Sequence, residues 1–273
     1  MLTKSDWHPL SFIRRIFPEC SHASFRENEA EPVCIQNLGW DSEFFKFRML
    51  KLEFLSECVD ADSLLAHPAL QHSEPTHIIA EVPARASGAI QTLGKAGFCL
   101  TETRLNYFHT LKNLPPEIRK SRMAVAGDST FLKKTASLAV NPSDRYHTDP
   151  FFSPEMASRY LETYINNCLN GHAEAVLVPD LETAPASFAA FSELRLPFVS
   201  ESSRLYRIPL TACLPENQGW HYHLCLSALH KASENHALAL IMTTQAANGA
   251  VIHNCEKLGF RLGSVFHVYS RIV

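Results

Sequence analysis

The N-terminal half of the chain carries apolar residues at strand-like and helix-like spacings. Residues 38–45 predict a turn into a short helix anchored by aromatic side chains, and residues 47–54 alternate apolar and basic positions, as a half-buried strand does. Residues 77–82 form a short apolar run that predicts a second strand. Residues 87–96 place apolar side chains on one face of a helix that ends at a glycine. Residues 98–111 alternate again and predict a further strand.

The C-terminal half alternates predicted strands with predicted helices. Its clearest helix begins at Ser153, a residue type that caps helix N-termini, has Pro154 in its first turn, and ends at Gly171. The other predicted elements are helices at 129–138, after Gly219 and at 249–258, a polar loop at 144–150, and strands at 174–178, 187–193, 203–213, 237–243 and 263–272. This order predicts an α/β fold in which helices cover a mixed sheet.

Periodicity and turn residues divide the chain into three parts. Residues 1–32 are polar and mixed, without sustained periodicity, and we expect an N-terminal extension there. Residues 33–113 are predicted to form an N-terminal α/β domain. The proline-containing stretch that begins at 114 leads into a C-terminal domain over residues 114–273.

Composition favours a protein that acts on small molecules. The chain has 273 residues, enough to bury a substantial core, and its net charge of -3 gives no reason to expect a nucleic acid or an anionic membrane as a partner. It has no run of eighteen apolar residues and no ordered signal-peptide pattern at its N-terminus. We therefore expect a cytoplasmic protein.

Cysteine and histidine spacing does not predict a metal site. The eight cysteines include no Cys-x-x-Cys pair, so they match neither a zinc site nor a disulfide framework. His221 and His223 come closest to a ligand pair, but no third ligand follows at a recognisable spacing. We expect no metal.

Gly219 lies between a predicted strand and a predicted helix. Backbone N–H groups at a helix N-terminus, with the positive end of the dipole behind them, form an anion site that suits a phosphate. A glycine in this place can also serve only to shape the turn, and the residue alone leaves both interpretations open.

Residues 216–269 resemble the GNAT superfamily of acyl-CoA-dependent N-acyltransferases. That family has a glycine turn, a helix, a strand, an Asn-x-x-Ala helix and a Lys-Leu-Gly-Phe ending. Gly219, Asn248 and residues 256–260 take the corresponding positions. With residues 38–45, 95–98, 143–146 and 268–271 included, the resemblance covers 35–273 and narrows to the TDP-fucosamine acetyltransferase type. It implies a GNAT-like mixed central sheet flanked by helices, with a partial GNAT-like N-terminal half.

The resemblance implies acetyl-CoA, or another acyl-CoA, as cosubstrate. An amine would attack the thioester directly, so the protein would position both substrates, remove a proton from the amine and supply one to the thiolate. The residues implied in CoA binding are Ala212, Cys213, Gln218, Gly219, Trp220, His221, Tyr222 and Asn248.

The resemblance also implies an acceptor between the two halves, near Trp40, Glu102, Tyr146 and His147. The acceptor would be an amine of a nucleotide-linked amino sugar or a similar small polar molecule, although loops of this composition also serve in capping and packing. A homodimer is the one assembly left open.

Two residues are candidates for proton transfer. Glu102 matches the base of the relatives when Gly97 is used as the anchor, and the alternative is a solvated carboxylate on a strand. Cys255 replaces the family's tyrosine as the candidate acid, and the alternative is a small buried residue. Other candidate donors are Tyr269, His253 and Tyr222.

His221 stands where the family has a second glycine or alanine. A bulky imidazole is expected to obstruct the pyrophosphate, unless it is protonated and contacts the phosphate. Together with Cys255 it supports an alternative function, in which the GNAT fold is kept but ordinary acetyl-CoA turnover is not. Such a protein would bind a ligand or a partner, or would use a different donor such as an acyl carrier protein.

Overall fold

The fold is described from a computed structural model that covers residues 4–20, 32–56, 59–71 and 74–273. The strands are β1 (Val33–Asn37), β2 (Arg48–Phe54), β3 (Thr76–Pro83), β4 (Cys99–His109), β5 (Ser121–Met123), β6 (Ala175–Pro179), β7 (Ser187–Leu194), β8 (Leu205–Ile208), β9 (Thr211–Cys213), β10 (Ala239–Gln245) and β11 (Arg261–Ile272). The helices are α1 (Ile13–Ile16), α2 (Gly39–Phe45), α3 (Ala61–Leu65), α4 (Ser87–Lys95), α5 (Ser129–Leu138), α6 (Arg145–Thr148), α7 (Pro154–Asn167), α8 (Trp220–Glu234) and α9 (Gly249–Lys257).

One mixed sheet runs through both halves of the protein. Its strand order is β1-β2-β3-β11-β4-β10-β8-β7-β6-β5, and β9 pairs with β7 beside this path. In the C-terminal half, α8 and α9 pack on one face of the sheet, and α5 and α7 pack on the other. In the N-terminal half, α4 covers one face. The predicted α/β fold with a mixed sheet and flanking helices is confirmed.

The two halves exchange their last strands. β11, the last strand of the chain, lies between β3 and β4, and β4 lies between β11 and β10. The helices that precede these two strands end alike, because Gly97 (φ 78°) and Gly259 (φ 85°) both take the left-handed conformation. The N–H of Phe98 bonds the carbonyl of Leu93, and the N–H of Phe260 bonds the carbonyl of Cys255, both at 2.9 Å. These are matching Schellman endings.

The described part of the N-terminal extension, residues 4–20, packs against the sheet. Phe12 and Ile13 are buried in a cluster with Phe108 of β4 and Ile241 of β10. A Cβ atom at Gly263 would lie 2.5 Å from the Phe12 ring, so glycine makes room for that ring. The remainder of the predicted extension, residues 1–3 and 21–31, lies outside the described residues.

Two predicted elements differ from the structure. The predicted loop at 144–150 contains the short helix α6, because the Asp144 carboxylate accepts the N–H groups of Tyr146 (2.9 Å) and His147 (3.1 Å). The strand predicted at 203–213 is divided into β8 and β9. The short elements β1, α3 and β5 were not predicted. None of the described helices is long and apolar enough to span a membrane.

Candidate functional site

A β-bulge separates β9 from the sheet path. Arg207 of β8 faces Ser192 of β7, whereas Thr211 of β9 faces Ala189 of β7. Four residue steps from β8 to β9 therefore match three steps along β7. β8 pairs in parallel with β10 as far as the Ile208–Met242 pair, and β10 continues to Gln245 against β4 alone. The two parallel strands therefore separate at their carboxyl ends.

A cavity of about 900 Å³ lies where the strands separate. One end is lined by the loop before α8 and by the first turns of α8 and α9, and the other by the loop between α5 and α6. Of the eight residues implied in CoA binding, six line it: Ala212, Cys213, Gln218, Gly219, His221 and Asn248.

The first turn of α8 presents backbone N–H groups at the cavity. Gly219 is the N-cap residue, and its φ of 88° requires the freedom of glycine. Glycine has no side chain with which to cap the helix. The N–H groups of Trp220 and His221 face the sulfur of Cys213, whose thiol donates to the carbonyl of Asn217 (2.9 Å). Burial raises the pKa of the Cys213 thiol, so a neutral thiol lies at this helix end.

His221 lines the wall between α8 and α9. Its Nδ1 accepts a hydrogen bond from the Asn254 side chain (2.9 Å), and the imidazole is buried. Burial lowers the pKa of His221 to about 4. The imidazole is therefore neutral at pH 7 and offers no positive charge to a phosphate.

Trp220 and Tyr222 do not line the cavity. Trp220 is buried in the core under α8, and the Arg119 guanidinium lies 5.4 Å from its ring centroid. Lys257 lies 4.9 Å from the Tyr222 ring centroid in the same way. Each of the two aromatic rings thus contacts a cation near the α8 N-terminus.

Asn248 has a structural role at the start of α9. Its side-chain oxygen accepts the N–H of Val251 (3.3 Å), which caps the helix. Asn248, His253 and Asn254 all line the cavity on this side. These polar side chains line the cavity together with the apolar Ala250 and Val251 of α9.

Cys255 is buried in the core and does not line the cavity. It is 1% exposed, and its sulfur lies 3.6 Å from the sulfur of Met242. Burial, with the nearby charge of Glu256, raises the pKa of the Cys255 thiol to about 12. The geometry supports the packing interpretation of this cysteine rather than a proton donor in the cavity.

Glu102 is buried on β4 with both carboxylate oxygens engaged. One oxygen is paired with the Arg104 guanidinium, and the other accepts the backbone N–H of Arg145 (2.9 Å) and the Gln245 side chain (3.2 Å). Glu102 does not line the cavity, whereas Gln245 does. Gln245 is therefore its contact with the cavity wall.

The residues implied in acceptor binding lie on α2 and α6. Trp40 is 39% exposed and stacks on Phe44. The Arg145 guanidinium packs over the Tyr146 ring and bonds its hydroxyl. His147 Nδ1 lies 2.8 Å from an oxygen of Asp144. Neither Trp40, Tyr146 nor His147 lines the cavity, but Asp144 does.

Asp144, Gln245 and Asn141 form part of the cavity wall that sequence reasoning missed. Asn141 donates to Gln245 across 104 residues of chain. No spacing signals such a contact, although the polar loop at 144–150 marked the region. No group of three potential metal ligands is found among the residues that the structure describes.

The fold matches solved structures, whereas no family model and no curated protein matches the sequence. The GCN5-related N-acetyltransferase of Sphaerobacter thermophilus superposes with a TM-score of 0.57, at 9% identity over 88% of this chain and 76% of that one. The Kribbella flavida GCN5-related N-acetyltransferase gives 0.52, at 12% identity over 94% and 93%. A glucosamine N-acetyltransferase region of a fungal multi-domain GH3 β-N-acetylglucosaminidase gives 0.59, at 11% identity over 88% and 31%. The chain has the fold of the GCN5-related N-acetyltransferases, the GNAT fold that its sequence resembles.

Proposed function

We propose that this protein is a GNAT-type N-acyltransferase that moves an acetyl or other acyl group from CoA to an amine. The observation that carries the proposal is the separation of β9 from β10 beside the N-terminus of α8. It places a cavity next to the first turn of α8, where the N–H groups of Trp220 and His221 face only the neutral Cys213 thiol. Such a helix end suits the pyrophosphate, and the cavity has room for the pantetheine arm.

The donor would lie along β9. Its phosphates would face the first turn of α8 near Gly219, and its pantetheine would run beside Ala212 and Cys213. A backbone donor of the separated strand would polarise the thioester carbonyl. The amine would then attack from the end of the cavity formed by Asp144 and Gln245.

The acceptor proposed is an amine of an amino sugar, nucleotide-linked or free. Two observations support it: the resemblance of residues 35–273 to the TDP-fucosamine acetyltransferase type, and the fold shared with a region named as a glucosamine N-acetyltransferase. Arg145, Tyr146 and Trp40 form an aromatic and charged surface beside Asp144 that suits a sugar. Glu102 would act as the base only through a relay, since both its oxygens are engaged.

A second function is favoured by the charge of the cavity. The described residues that line it include neither lysine nor arginine. Inside the cavity a CoA nucleotide would meet only N–H groups and neutral side chains around α8, since Arg119 and Lys257 are not among the residues that line it. The alternative is therefore a protein that binds without turnover, or that takes its acyl group from a non-CoA donor such as an acyl carrier protein.

Calorimetric titration with acetyl-CoA and with CoA tests the proposal. We expect a Kd of about 1–100 µM, in the lower part of the range in which enzymes bind substrates. Release of the CoA thiol in the presence of amino sugars should follow. Absence of binding at about 1 mM would overturn the CoA-dependent function and favour the alternative.

Gly219→Ala provides a matched test of the helix end. Alanine at a φ of 88° is strained, so the turn should shift and affinity for acetyl-CoA should fall by about tenfold. Gly94→Ala is the control, because Gly94 lies inside α4 with open space around it. Equal affinity of both variants for acetyl-CoA would show that the α8 N-terminus does not bind the donor.

A further inference from the structure

Asp144 is the one aspartate, glutamate, lysine or arginine among the described residues that line the cavity. At the other end of the cavity, near Gly219, burial keeps His221 uncharged at pH 7. The cavity is thus negative at one end. A negative, half-enclosed wall favours a cationic group over an anionic one.

One oxygen of Asp144 is used by the protein, and the other is not. Oδ1 accepts the N–H groups of Tyr146 and His147 and contacts His147 Nδ1 at 2.8 Å. No hydrogen bond joins Oδ2 to any part of the chain that the structure describes. The side chain is 15% exposed, so Oδ2 remains accessible to a ligand.

Glu102 does not compete for a ligand at this place. Its side chain is 1% exposed, and Arg104, Arg145 and Gln245 occupy its oxygens. Burial raises the pKa of Asp144 above its ordinary value; His147 acts in the opposite direction, and the charge of Glu102 adds a smaller increase. A cation beside Asp144 would stabilise the charged carboxylate and so oppose the effects of burial and of the Glu102 charge.

We propose that Asp144 binds the ammonium group of the acceptor, and that the acceptor brings no anionic group into this end of the cavity. The ligand class is a primary amine, and a phosphate or carboxylate on the same molecule would remain outside. The inference rests on the proposed function in one respect: the bound ammonium group is taken to be the amine that is acylated.

The acyl transfer balances through this pair. The ammonium gives one proton to the Asp144 carboxylate, and the neutral amine then attacks the thioester carbon. The C–N bond forms, the C–S bond breaks, and the second proton lost from nitrogen neutralises the departing thiolate. Asp144 returns its proton to solvent, so the products are an amide, a free thiol and one proton.

The probe is n-butylammonium, compared with butan-1-ol and butyrate at pH 7 by saturation-transfer NMR titration. We expect butylammonium to bind with a Kd of about 1–10 mM, and butanol and butyrate to bind at least about tenfold more weakly. Asp144→Asn should weaken butylammonium binding by about tenfold or more, because the amide is neutral. Asparagine still caps a helix N-terminus, so α6 is retained.

Asp60→Asn is the matched control. Asp60 caps α3 by accepting the N–H of Ser63 (2.8 Å), and it does not line the cavity. This variant should bind butylammonium as the wild type does. The proposal is overturned if butylammonium fails to bind at about 50 mM, if butyrate binds equally well, or if Asp144→Asn and Asp60→Asn bind it equally.

Acetyl-CoA titration of the same samples keeps the two proposals distinguishable. If acetyl-CoA binds but Asp144→Asn leaves the affinity for butylammonium unchanged, the proposed amine site is wrong and the transferase proposal is retained. If acetyl-CoA does not bind but butylammonium depends on Asp144, the amine site stands without the acyl-CoA function.

Discussion

Asn141 donates from Nδ2 to Oε1 of Gln245 at 2.6 Å. The contact joins the loop between α5 and α6 to the carboxyl end of β10, and both residues line the cavity. Gln245 in turn donates to Glu102, so one amide connects the buried carboxylate of β4 with the cavity wall.

Glu102→Gln should destabilise the protein. The change leaves Arg104 with Glu81, at 3.3 Å, as its remaining carboxylate, and it removes the charge that accepts the Arg145 N–H. We expect a loss of about 2 kcal/mol, because the amide still accepts hydrogen bonds and Arg104 stays partly exposed. Urea unfolding measures it. If stability is unchanged but acyl transfer falls by about a hundredfold, Glu102 is a base rather than a structural residue.

Cys255→Ala should lower the free energy of unfolding only slightly and should keep the rate of acyl transfer within about twofold of the wild-type rate. The thiol packs on Met242 in the core, so its removal leaves only a small cavity, worth about 1 kcal/mol. Cys255→Ser should cost more, about 1–3 kcal/mol, because a hydroxyl would be buried there. A large loss of turnover in the alanine variant, with CoA affinity intact, would instead make Cys255 the acid.

Stability should fall as pH falls from about 7 to 5, and His221 should account for part of the fall. Its folded pKa of about 4 lies below the ordinary value of 6.5, so the unfolded chain binds the proton more tightly. Stability is therefore complete above pH 6.5 and is lost as pH approaches 4. The loss from pH 7 to 5 should be about 2 kcal/mol for this group.

The His221→Asn variant isolates that contribution, since other histidines also titrate in this range. Urea unfolding at pH 7 and pH 5 should show a smaller difference in the variant than in the wild type. Equal differences in the two proteins would mean that the imidazole is not held neutral by burial.

Phe12→Ala should destabilise the protein by about 3–5 kcal/mol, because Phe12 is 2% exposed and fills the space above Gly263. Gly263→Ala should also destabilise it, by about 1–3 kcal/mol, since the new methyl group would meet the Phe12 ring. In the double variant the second cost should shrink by about 1 kcal/mol or more. Additive effects would show that the two residues do not share this contact.

The local sequence pattern determined most of the elements and one end of the cavity. Alternation with a period of two marked β2 and β4, a short apolar run marked β3, and Ser153 and Gly97 marked helix ends. These signals are local, because caps and turns depend on residues a few positions apart. Gly219 was recognisable for the same reason, and it brought most of the implied CoA-binding residues to one place.

Only the tertiary structure decided which side chains meet. The period of a strand assigns a residue to a face of the sheet, but not to a neighbouring strand, so the exchange of β4 and β11 was not predictable. The exchange and the packing of α6 saturate Glu102, and the bulge at residues 208–211 opens the cavity. Cys255 faces the core and Asp144 the cavity because of contacts far apart in the chain. As a result, Glu102 and Cys255, which the sequence predicted for proton transfer, do not line the cavity, whereas Asp144 does.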